Sequence, residues 1–172
     1  PRRFVSDTGQ MVWDVSRPDA GYLTVDTPRT KLFTGFVGGR TFRLGSVELQ
    51  IGPTRLDWAT VSMVCRDGAG FDSPGRILVA ATGWMQNTGA VPESRGGDRI
   101  TLGARWGEGP VLCEGIAAEI VLPVSAERVT VYPLDAAGAR QPKLATESRR
   151  GRAVARLSPK AETLWYEIEI GR

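Results

Sequence analysis

The chain has 172 residues, 41% of them hydrophobic, which suits a single domain with one sizeable core. Its 21 glycines and 11 prolines are spread along the length and argue against a helical bundle, because both break helices and punctuate turns. A net charge of +3 is by itself no nucleic-acid footprint, since phosphate binding needs basic residues gathered on one face, and no run of about 18 apolar residues is present to cross a bilayer.

In chain order, short strands alternate with turn residues. Residues 4–6 and 11–14 flank Asp7-Thr8-Gly9-Gln10, which predicts a hairpin. Residues 22–26 alternate apolar and polar positions and stop before Pro28. Strands over 31–37, 41–44 and 47–51 follow, divided by Gly38-Gly39 and Gly45-Ser46. Residues 58–65 and 76–83 are the most apolar and are expected as central strands, joined through Asp67-Gly68-Ala69-Gly70. Residues 84–99 carry polar and turn residues with few apolar anchors, so a long loop is expected there. Strands over 119–124, 128–133, 153–157 and 164–170 complete the chain. Just before residues 153–157, Arg149, Arg150 and Arg152 beside Gly151 are expected as a solvated hairpin tip. The expected fold is an all-β, antiparallel, jelly-roll-like β-sandwich of two sheets with little helix.

The residue inventory removes much chemistry. There is no histidine, so Ser-His-Asp and Cys-His arrangements and histidine-held metals are absent. Two cysteines cannot hold zinc alone, and Cys65 shares a strand face with Ala59, Val61 and Met63, which predicts a buried free thiol there instead of a disulfide with Cys113. Glu93, Glu108, Glu114, Asp57, Asp72 and Asp98 could supply a glycosidase's two carboxylates, but such residues are the ordinary surface of any soluble domain. Gly35-Phe36-Val37-Gly38-Gly39 lacks the lysine of a phosphate loop. Asp67, Asp72 and Asp135 lie in loops, a setting for a structural calcium ion, although their spacing matches no calcium loop. No cofactor is otherwise expected.

The five tryptophans are the informative feature, since a sugar ring stacks its C–H face on an indole. Trp13 and Trp165 are expected to face the core or a neighbouring domain, and Trp58, out of phase with Ala59, is open between inward and outward. Trp84 with Gln86 and Asn87, and Trp106 with Arg105, combine an apolar plane with polar neighbours and are the candidate ligand-binding residues.

Several fragments in order resemble the C-terminal β-sandwich domains that follow (β/α)8-barrel catalytic domains in some bacterial glycoside hydrolases. They are Ser6-Asp7-Thr8-Gly9-Gln10 with Trp13-Asp14, Val25-Asp26-Thr27-Pro28-Arg29-Thr30, Gly35-Phe36-Val37-Gly38-Gly39, Arg76-Ile77-Leu78-Val79, Asn87-Thr88-Gly89, Gly107-Glu108-Gly109-Pro110-Val111 and Leu164-Trp165-Tyr166-Glu167-Ile168. The resemblance implies a non-catalytic carbohydrate-binding accessory domain over 1–172, with 1–14 leading from an upstream catalytic domain, secreted to the extracellular space or periplasm. Its expected partners are a β-glucan, xylan or mannan and that catalytic domain, with no nucleic acid and no membrane. A companion domain that only packs on the barrel is the alternative, and an adhesion sandwich is a third.

Overall fold

The computed structural model describes residues 2–18, 20–97 and 99–172. Seventeen strands are formed among them. The first four, β1 (Arg3–Val5), β2 (Met11–Asp14), β3 (Tyr22–Asp26) and β4 (Thr30–Phe36), make an antiparallel meander. The chain then crosses to a second sheet with β5 (Thr41–Leu44) and β6 (Val47–Ile51), and returns to the first with β7 (Trp58–Cys65) and β8 (Gly75–Thr82). A ribbon region follows, comprising β9 (Met85–Thr88), β10 (Glu93–Ser94), β11 (Ile100–Thr101) and β12 (Glu108–Cys113). The remaining strands are β13 (Ala118–Leu122), β14 (Val129–Pro133), β15 (Thr146–Arg149), β16 (Arg152–Leu157) and β17 (Trp165–Ile170).

The result is all-β. One sheet has eight strands in the order β1-β2-β3-β4-β7-β8-β17-β14, and a five-stranded sheet runs β15-β16-β13-β6-β5. Every pairing is antiparallel. Period-2 alternation explains the core: Phe33, Val61, Met63, Val79 and Ile168 of the large sheet face Leu44, Leu49, Ile120, Leu122 and Leu157 of the small one, all buried. Among the described residues, helix is limited to two 3-10 turns, Ala126–Arg128 and Pro159–Ala161.

One expectation is corrected. Residues 84–99 do not form one long loop, because β9 pairs with β12 and β10 with β11. The apolar anchors missing from that segment are unnecessary in a two-stranded ribbon, whose backbone groups satisfy each other. Of the two alternatives for Trp13 and Trp165, the core is excluded, since they are 52% and 46% exposed, and they face outward, while Trp58, 41% exposed, takes its outward alternative. Cys65 is a buried free thiol and Cys113 an exposed one. Burial raises the Cys65 pKa, because the thiolate would lose its hydration.

Candidate functional site

The outer face of the eight-stranded sheet is set by the same alternation that builds the core. With Ala59, Val61, Met63 and Cys65 turned inward, Trp58, Thr60, Ser62 and Val64 of β7 must face out. Register then assembles rows across the strands. Phe36 pairs with Trp58; Trp13, Leu23, Thr34, Thr60 and Thr82 form the next row; Met11, Val25, Leu32, Ser62, Ala80 and Trp165 form a third.

Aromatic bulk collects at one corner of this face. A groove of about 480 Å³ is walled by Trp13 on one side and by Phe36 and Trp58 on the other, with Leu23 and Thr34 in its floor and Arg17 at its rim. Phe36 owes its place to Gly35, which sits at φ +144°. A Cβ at Gly35 would lie 2.5 Å from the Gly21 carbonyl oxygen and 2.5 Å from the Tyr22 Cα, so only glycine lets β4 approach β3 this closely. The Phe36 amide then donates to the Gly21 carbonyl at 3.0 Å. The hydroxyl of Thr34, in the floor, is hydrogen-bonded at 2.7 Å to that of Thr60 on the neighbouring strand.

The opposite corner of the same face is charged but internally paired. Buried Glu167 accepts from Arg140 Nε at 2.7 Å and from Arg66 at 3.4 Å, while Glu169 pairs with Arg140 at 2.8 Å. The Arg140 guanidinium also lies over the Tyr132 ring, 4.3 Å from its centroid. Its pKa is raised, chiefly by the hydrogen bond to Glu167.

The small sheet treats its outer face differently. Arg152 pairs with Glu48, Arg149 and Arg156 with Glu119, and Arg156 with Glu147, at 2.7 to 2.9 Å. These cross-strand pairs lie over Val121 and Val154, which are buried although they point away from the core. One face of the sandwich is thus sheathed in ion pairs, and the other offers aromatic and apolar side chains to water.

Of the residues singled out from sequence, Gln86, Asn87, Arg105 and Trp106 gather on the β9–β12 ribbon. The Gln86 amide donates to the Ala90 carbonyl at 2.7 Å, that of Asn87 to the Trp106 carbonyl at 3.1 Å, and Arg105 binds Glu93 at 2.9 Å. Trp106 is 63% exposed. Trp84 stands at the far end of β9, where Arg55 covers its ring at 3.9 Å and Glu114 accepts from the backbone amides of Trp84 and Arg55. The polar partners expected to orient a sugar are therefore engaged within the protein. Phe36 and Thr34 escaped notice in the sequence, although alternation against buried Phe33 already placed both on the outer face.

Most of the named carboxylates are likewise in structural use, while Glu108 is exposed on β12. Glu93 binds Arg105, Glu114 holds two amides, Asp57 accepts from the Gly38 amide, and Asp72 bonds Ser73. Asp98 lies outside the described residues. Asp67 and Asp135 are occupied by turns, accepting from Arg76 and from the Ala137 and Ala139 amides. Among the described residues, no three acidic or cysteine side chains stand together as a metal set, and no helix is long and apolar enough to cross a membrane.

Fold and face together define a two-sheet antiparallel sandwich with an aromatic outer surface. No family model, curated protein or solved structure matches the chain.

Proposed function

We propose that the chain is a non-catalytic carbohydrate-binding accessory domain of a secreted, polysaccharide-degrading glycoside hydrolase, and that it takes its sugar in the groove between Trp13 and the Phe36–Trp58 pair. The observation that carries this reading is the concentration of three aromatic rings and a threonine hydroxyl pair on an open sheet face. Indole planes offer an apolar surface to the C–H faces of a pyranose ring, and hydroxyls and Arg17 can meet its rim. The open, shallow shape suits a ligand that passes over the surface without being enclosed.

Titration of the isolated chain with soluble β-glucans, xylans and mannans, read by tryptophan fluorescence, tests the reading directly. Binding of one class, lost in Trp13→Ala and Trp58→Ala while Trp106→Ala keeps it, is the expected result. Loss in Trp106→Ala alone would return the site to the β9–β12 ribbon.

A second reading, a companion domain that packs on a catalytic barrel, has its own support. Phe4 and Met11 of the β1–β2 hairpin are exposed on the groove's side, and Phe4 packs on Trp13 with ring centroids 5.4 Å apart. Under that reading the isolated chain binds no glycan, and the apolar dye ANS binds the bare face.

A further inference from the structure

Between Trp58 and Trp165, the outer face of the large sheet is lined by small side chains. Trp58 stands at one end of β7. Passing diagonally towards β17, the face presents Thr60 and Thr82, then Ser62 and Ala80, and then Trp165, which pairs with Ala80. Bulky rings at the ends and short side chains between them make a trough. At about 3.3 Å per residue along a strand and about 4.8 Å between strands, four residues and two strand spacings separate the indoles by about 16 Å. Trp165 is the wall of a further cleft of about 450 Å³ with Leu78, Leu134 and Arg66 on its other sides, so its indole is accessible beyond the trough.

The lining also has a chemical character. Thr60, Ser62 and Thr82 bring hydroxyls, Ala80 brings a methyl group, and none brings a charge. Towards the Trp165 end the ionic groups of the face, Arg66, Glu167, Arg140 and Glu169, neutralise one another, while Arg17 stands in the groove lining beside Trp58 at the other end. Burying a charged ligand beside uncharged hydroxyls would leave its charge unpaired, whereas a neutral, hydroxyl-rich chain matches the lining.

Resting on the carbohydrate-binding reading above, we infer that Trp58 and Trp165 are the two ends of one extended subsite for the interior of a neutral polysaccharide chain. The Thr60–Thr82 and Ser62–Ala80 positions form its floor. A ligand held at two stacking stations gains the second at little further cost in translational freedom, so affinity should depend on chain length.

Calorimetric titration of the whole chain with cello-, xylo- and manno-oligosaccharides of three and six units tests this. In the series that binds, the hexasaccharide is expected to bind about tenfold or more tightly than the trisaccharide, by analogy with the stacking of bases on aromatic platforms. Trp165→Ala should bring the hexasaccharide down to the trisaccharide's affinity. Ser62→Arg, which fills the floor and keeps both indoles, should do the same, with thermal unfolding verifying that both variants fold. If both variants bind the hexasaccharide as the parent does while Trp58→Ala loses both ligands, the extended subsite is overturned and the carbohydrate reading stands. If no series binds, that reading falls and the subsite with it, and tighter binding of polygalacturonate than of any neutral series overturns the assignment of a neutral chain.

Discussion

Phe36 meets Trp58 edge to face, with ring centroids 5.1 Å apart and planes inclined at 81°. The two residues are cross-strand partners on β4 and β7, so backbone register brings them together and the ring contact braces the indole. Such pairs are worth about 0.5–1.5 kcal/mol beyond area burial. A double-mutant cycle with Phe36→Leu and Trp58→Ala, followed by urea denaturation, is expected to return a coupling in that range. A coupling near zero would mean that the indole stands without Phe36.

Gly35→Ala should damage stability and groove together. The added methyl group meets the Gly21 carbonyl and the Tyr22 backbone at 2.5 Å in a conformation that L side chains rarely adopt. Backbone strain and overpacking each cost about 1–3 kcal/mol, so a loss of at least about 2 kcal/mol is expected on urea unfolding. An unchanged midpoint would contradict the close approach of β4 to β3.

Asp67 couples stability to acid. Its pKa is lowered, first by the hydrogen bond from the Arg76 amide and then by the Arg76 side chain, which donates at 2.7 Å. A carboxylate whose folded pKa is depressed stabilises the fold fully above its unfolded value of about 3.9, and loses that contribution as pH falls through the folded value. The stability advantage of the parent over Asp67→Asn is therefore expected to be present at neutral pH and to vanish in strong acid. An advantage that persisted below the folded pKa would show that the carboxylate charge is not its source.

The two thiols should differ in reactivity. Cys113 is exposed on β12, whereas Cys65 is buried and its thiolate disfavoured. Under native conditions DTNB is expected to titrate one thiol rapidly, and denaturant should release the second. Rapid reaction of both in the native state would contradict the packing of Cys65 against the core.

Strand positions and inward faces were legible because alternation is local. In residues 58–65, the placing of Ala59, Val61, Met63 and Cys65 on one side needs no knowledge of the rest of the chain, and all four are buried as expected. The free buried thiol followed from the same pattern, and the all-β fold from the turn residues between such segments. The candidate site was far less legible. Trp84 and Trp106 drew attention through polar sequence neighbours, yet those neighbours spend their hydrogen bonds on Ala90, Trp106 and Glu93.

What the tertiary structure alone decided is what lies over each outer face. Alternation assigns Trp13, Trp58 and Trp165 to a side of their strands, but pairing between β2, β3, β4 and β7, and between β7, β8 and β17, is what lays them on one continuous surface. Residues far apart in sequence set those registers, and the salt-bridged ladder over the small sheet is likewise built from β6, β13, β15 and β16. The sequence by itself therefore determined the strands and their buried side, because a two-residue period is carried by neighbouring residues. Which outer face is sheathed in charge and which is open and aromatic was left to tertiary structure, because both depend on non-local strand register.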